Sequence, residues 1–129
     1  MARKPVDVTD AELAILQVLW GREAATVRDL AQTLYPRETA SDLATVQKLL
    51  KRLEEKGCVE RDRQQWPHMF RPRLNREELI GRRLRDTAND LCNGALTPLL
   101  THLVRTSPLS AEERQELREL LDQFETSSS

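Results

Sequence analysis

The chain has 129 residues, of which 32% are charged and 4% aromatic, and its net charge is −1. That length suits one compact domain or a small domain with an appended assembly segment, and the core must come from Leu, Val, Ile and Ala. The apolar periodicity excludes disorder except at the ends; no run approaches the ~18 apolar residues that span a membrane, and no apolar signal core follows the basic "MARKP".

In "VTDAELAILQVLW", Thr9 and Glu12 are spaced as a capping box, in which each side chain bonds the other's backbone N–H. Leu13, Leu16, Leu19 and Trp20 then recur at helical spacing, and Gly21 is expected to close the helix. "TVRDLAQTL" repeats the device with Thr26 and Asp29, followed by an inward stripe of Val27, Leu30, Ala31 and Leu34, and Pro36 stops it. A third helix over 42–56 is capped by Ser41 or Asp42 and ends at Gly57. "CVERDRQQWPHMFRPRL" reads as a β-hairpin turning through "DRQQWP", with Pro72 at an exit position that tolerates a missing donor.

Asn75 and Glu78 cap a long fourth helix with an apolar seam of Leu79, Ile80, Leu84, Ala88, Leu91 and Cys92, broken by "NG" at 93–94. "ALTPLLTHLV" supplies Leu96, Leu99, Leu100, Leu103 and Val104. Ser110 and Glu113 cap a last helix carrying Leu117, Leu120, Leu121 and Phe124, and "TSSS" is expected to fray. Helix, helix, helix, hairpin, then helices is the order of a winged helix-turn-helix. The expected fold is mainly α with a small β-hairpin, divided into a DNA-binding domain at 1–74 and a helical dimerisation region at 75–129.

Charge follows the same division. Residues 41–73 hold eight Lys/Arg against five Asp/Glu, while 74–129 hold seven against ten. A basic middle and an acidic remainder suggest two jobs in chain order.

Projecting residues 44–56 at about 100° per residue puts Val46, Leu49, Leu50 and Leu53 on one core-facing stripe. Ala44, Gln47, Lys48 and Lys51 lie opposite, flanked by Thr45 and Arg52. A helix in the major groove needs this set: small residues for close approach, an amide for adenine, and cations for guanine or phosphate. Any solvated helix face also looks so. The hairpin tips the balance, because Arg61, Arg63, Arg71 and Arg73 cluster there, with Trp66 and His68 near the tip.

"DAELAILQVLW", "TVRDLAQTL", "ATVQKLLKRLEEKGCVERD" and "FRPRLNREEL" resemble the penicillinase-repressor (BlaI/MecI/CopY-like) family of winged-helix transcriptional regulators, over roughly residues 8–124. The resemblance implies a cytoplasmic homodimer that represses transcription by covering a near-palindromic double-stranded DNA operator. It puts Thr45, Gln47 and Lys48 nearest base edges, with Ala44 beside them. Arg61, Arg63 and Arg71 would serve phosphates, with Lys51, Arg52 and Arg73 adding to the backbone grip. It also implies a membrane-bound sensor protease as a partner. However, His102–Leu103 stands where part of the family is cut at Asn–Phe, so the same cleavage is not expected. The chain ends in "DQFETSSS" where the copper-responsive branch carries cysteines, so copper sensing by that route is not expected either.

A region of some fifty residues in three amphipathic helices makes a poor core alone. Leu84, Leu91, Leu96, Leu99, Leu100, Leu103, Val104, Leu117, Leu120, Leu121 and Phe124 are therefore expected to pair two copies. The rival reading is a winged helix used as a protein–protein module without DNA readout. An enzyme is not expected: the serines have no nucleophile elbow, His68 and His102 stand alone, and no Gly-rich phosphate loop occurs. Cys58 and Cys92 have no partners at ligand spacing, so they are expected to be small hydrophobes in a reducing compartment. No metal, cofactor or direct membrane binding is expected.

Overall fold

The computed structural model describes residues 7–37 and 39–127, so the "MARKP" segment lies outside the described residues. In chain order the elements are α1 (Asp10–Arg22), α2 (Val27–Leu34), α3 (Ala40–Glu55), β1 (Val59–Asp62), β2 (Met69–Pro72), α4 (Arg76–Cys92), α5 (Thr97–Thr106) and α6 (Ala111–Ser127). The expected mainly helical fold with one hairpin is present.

Each of the first three helices opens with a reciprocal capping box that satisfies two N-terminal donors: Thr9 with Glu12, Thr26 with Asp29, and Thr39 with Asp42. The third corrects the sequence reading. Thr39 is the cap and Asp42 its partner three residues on, so α3 starts before the expected 42 and Lys56 is its C-cap. The end of α1 is also corrected. The helix runs through Gly21 to Arg22, and Glu23 takes the left-handed position at φ 72, its N–H donating to Leu19 O at 2.7 Å. Gly57 (φ 76) and Gly94 (φ 85) do turn the chain where expected. Asn75–Glu78 and Ser110–Glu113 form the two later caps. α6 continues through Thr126 and Ser127 into the tail expected to fray, while the last two serines lie outside the described residues.

The chain divides into two compact units, up to Ile80 and from Gly81 onward. The first therefore takes in the opening turn of α4, past residue 74, because Leu79 joins Leu74 in its core. That core is mostly aliphatic, as the composition demanded. Ile15, Leu16 and Leu19 of α1, Leu30 and Ala31 of α2, and Val46, Leu49, Leu50 and Leu53 of α3 are buried, together with Cys58, Val59 and Phe70. Trp20 lies half-buried against it, with Nε1 donating to Leu74 O at 2.7 Å and the Arg76 guanidinium over its ring.

The hairpin is antiparallel, pairing Val59 with Pro72, Glu60 with Arg71, Arg61 with Phe70 and Asp62 with Met69. It is tied to the helices by a feature invisible in the sequence. Ala25, in the α1–α2 link, exchanges two backbone hydrogen bonds with Phe70, at 3.1 and 2.8 Å. The wing is thus stitched to the body instead of hanging from α3 alone.

In the second unit, among the described residues, Ala88 is buried and most of the large hydrophobics are exposed. Cys92 is a free, half-buried thiol. Among the described residues no helix is long and apolar enough to cross a membrane.

Candidate nucleic-acid interface

The packing of α3 sets which of its residues face outward. The Val46, Leu49, Leu50 and Leu53 stripe is buried, which fixes the helix's rotation about its axis and leaves Ala44, Thr45, Gln47, Lys48, Lys51 and Arg52 exposed. The Thr45 hydroxyl donates to Ser41 O at 3.0 Å, so its proton is committed within the helix. Lys48, Lys51 and Arg52 form no ion pair among the described residues. Their positive charge is uncompensated on one face.

The hairpin arginines are placed differently. Arg61 lies on the inner face of the ribbon, half-buried, with its guanidinium 5.0 Å from the Phe70 ring centroid and 3.2 Å from Glu54 Oε1. Arg63 is mostly exposed and lies 3.7 Å from the other oxygen of Glu54. Arg71 is 3.6 Å from Asp62, and Arg73 is 4.0 Å from Glu60. Three acids of the same unit therefore engage the four hairpin arginines that the sequence reading assigned to the DNA backbone. Glu54 thereby joins α3 to the hairpin.

The face has further members that the sequence reading passed over. A groove of about 760 Å³ runs between α2, α3 and the hairpin tip, and Gln47 and Lys51 share its lining with Arg28 and Gln32 of α2. Its far wall is Trp66, Pro67 and His68. Asp29, at the groove margin, accepts from the Thr26 backbone N–H at 3.0 Å and lies 3.5 Å from Arg22. The Thr26 backbone bond, assisted by its hydroxyl and the Arg22 charge, outweighs partial burial and holds the Asp29 carboxyl below its ordinary value of 3.8. Arg28 and Gln32 were passed over because they lie on the polar side of an unremarkable amphipathic helix. Only packing brings them beside Gln47.

In the second unit, Leu84, Leu91, Leu96, Leu100, Leu103, Val104, Leu117, Leu120, Leu121 and Phe124 are all exposed, and Leu99 is half-buried. His102 is exposed on α5. Among the described residues there is no cluster of His, Cys, Asp and Glu that could hold a metal ion.

The family model of the penicillinase repressor matches residues 8–123. The penicillinase repressor of Bacillus licheniformis is 25% identical over 121 residues, covering 94% of this chain and 94% of its own. The transcriptional regulator BlaI of Mycobacterium tuberculosis is 33% identical over 120 residues, covering 90% of this chain and 83% of its own. The methicillin resistance regulatory protein MecI of Staphylococcus aureus is 20% identical, over 95% of this chain and 98% of its own. The solution structure of the DNA-binding domain of the repressor BlaI aligns with a TM-score of 0.49 and 24% identity, over 60% of this chain and 93% of that one.

Proposed function

The chain belongs to the penicillinase repressor family, and from that premise we propose that it is a DNA-binding transcriptional repressor working as a homodimer on a near-palindromic operator in the cytoplasm. The observation that carries the reading is the exposed face of α3. Its buried stripe leaves an amide and three cations, without an ion pair among the described residues, pointing away from the core. In the proposed complex Gln47, Lys48 and Thr45 meet base edges, and Ala44 lets the helix backbone come close. Lys51 and Arg52 meet phosphates, joined by Arg63, Arg71 and Arg73 of the wing. Arg61 is the wing cation least available to the backbone, because Glu54 ties it to α3 and it lies over the Phe70 ring of its own hairpin.

The second unit supports the homodimer. A set of leucines this exposed on three helices exceeds what a stable monomer leaves in water. Pairing two copies covers it and also couples two half-sites, which raises operator affinity without new base contacts. No catalytic activity is part of this proposal. A sensor protease acting at His102–Leu103 would first have to open α5, where His102 O accepts from Thr106 Oγ1 at 2.7 Å and Leu103 O from Ser107 N at 2.9 Å.

The test is selection of duplexes from a random pool by the purified protein, followed by a salt titration on the winner and on a random duplex. The proposal expects enrichment of an inverted repeat, with affinity falling by ~0.9 log unit per phosphate contact per decade of salt. Failure to enrich any sequence, with no duplex bound at low salt, would favour a protein–protein module instead.

A further inference from the structure

Resting on the DNA-binding reading above, we infer that the groove between α2, α3 and the hairpin tip seats one sugar–phosphate strand, and that Trp66 is its uncharged wall. The indole face packs against deoxyribose and its Nε1–H is given to a phosphate oxygen.

Trp66 is 85% exposed, although a large apolar ring is seldom left so open without a use. Its only ring neighbour among the described residues is His68, edge-on at 5.0 Å and 80°, and its indole N–H has no acceptor there. An indole nitrogen can only donate, so an oxygen-rich partner suits it. The groove couples this ring to base reading. Gln47 and Lys51 line one side and Trp66 the other, so a duplex presented to α3 passes the indole as well.

Charge favours a polyanion as the occupant. Arg28 and Lys51 lie on the lining without an acidic partner among the described residues, whereas Asp29 is already engaged by Thr26 and Arg22. A phosphate strand answers both cations and the indole N–H, and its deoxyribose offers C–H groups that can pack on the ring face.

This role differs in kind from that of an arginine. Because Trp66 has no charge, removing it lowers affinity without releasing fewer counterions, so the salt slope stays the same. Wild type, Trp66→Phe, Trp66→Ala and Lys51→Ala would be titrated against a duplex selected by the wild-type protein and a random duplex of equal length, by fluorescence anisotropy over a salt series. Trp66→Ala should weaken both duplexes by roughly tenfold with an unchanged slope, and Trp66→Phe by about threefold, keeping the face but losing the donor. Lys51→Ala should flatten the slope. Trp66→Ala binding both duplexes like wild type overturns the inference, as does a loss confined to the selected duplex. A second measurement needs no loss-of-function variant. The wild-type minus Trp66→Phe difference in indole emission should be shielded from acrylamide by either duplex. Shielding by a polyglutamate peptide but by neither duplex overturns the inference in favour of a protein partner. If wild type binds no duplex at low salt while keeping its helical circular dichroism, the underlying DNA reading falls too, whereas a defect in the variants alone does not touch it.

Discussion

Lys56 Nζ lies 2.5 Å from Glu12 Oε1, joining the C-cap of α3 to the N-terminal turn of α1. The Glu12 side chain is fully buried, and the same ammonium also donates to Asp7 O at 2.9 Å. Burial alone would raise the Glu12 carboxyl. The Lys56 hydrogen bond and those from the Thr9 backbone and hydroxyl outweigh it, so its pKa lies below its ordinary 4.5. A carboxyl depressed on folding adds stability that is present above the unfolded pKa and is lost as pH falls through the folded one. Urea midpoints should therefore hold from neutrality to about pH 5 and drop below 4.5. Lys56→Met strands the carboxylate and should cost about 3–5 kcal/mol at neutral pH. Without the ammonium, desolvation dominates, so that deficit should shrink on acidification. A deficit independent of pH would show that the pair does not set the carboxyl's charge.

Glu54 predicts a second effect. Its carboxylate holds Arg61 at 3.2 Å and Arg63 at 3.7 Å, and it places a negative charge beside the surface proposed for phosphate. Glu54→Gln should tighten binding to selected and random duplexes alike and steepen the salt slope by up to ~0.9, as one more arginine becomes available. Adding Arg63→Ala should cancel most of the gain. Weaker binding by Glu54→Gln, with circular dichroism intact, would mean that the clasp positions the wing more than it restrains it.

What the sequence could and could not say divides along contact range. Thr9–Glu12 and Thr26–Asp29 were legible because a capping box is a local spacing with one solution. Thr39–Asp42 has the same spacing, but "TASD" offers Ser41 and Asp42 as competing caps, and the local signal could not choose. Gly21 was read as a terminator because glycine tolerates the left-handed region, yet Glu23 occupies it. The rotation of α3 was legible because its four core residues recur at helical period. The ion pairs were not. Lys56 and Glu12 are 44 positions apart, and no periodicity links them. Likewise, four arginines on a hairpin look free until the fold brings Glu54, Asp62 and Glu60 beside them.

Base reading is tested at Gln47, which is exposed on α3 and shares the groove lining with Lys51. Gln47→Ala should relax preference at one position in each half-site, costing about 1–3 kcal/mol on the selected duplex if the amide bonds adenine at two points. Random DNA should be nearly unaffected. Sequencing duplexes reselected by the variant reads this directly, and equal losses on both duplexes would move Gln47 from base reading to backbone contact.

The apolar faces of the second unit carry the last prediction. Leu100 is 52% and Leu121 65% exposed, and both belong to the second unit. An aspartate at either position leaves the winged unit's packing untouched, because no atom of its core is removed. It does place a charge where two chains are proposed to exclude water, and an unpaired buried charge is costly. Leu100→Asp and Leu121→Asp should therefore sediment as monomers at concentrations where wild type is a dimer. Operator affinity should fall by roughly 10²-fold or more, since each half-site then binds without the effective concentration supplied by its twin. Random-duplex binding per winged unit should change far less. A variant that stayed dimeric would place the interface elsewhere. One that became monomeric yet kept full operator affinity would show that a single recognition helix suffices, and the palindrome would lose its physical reason.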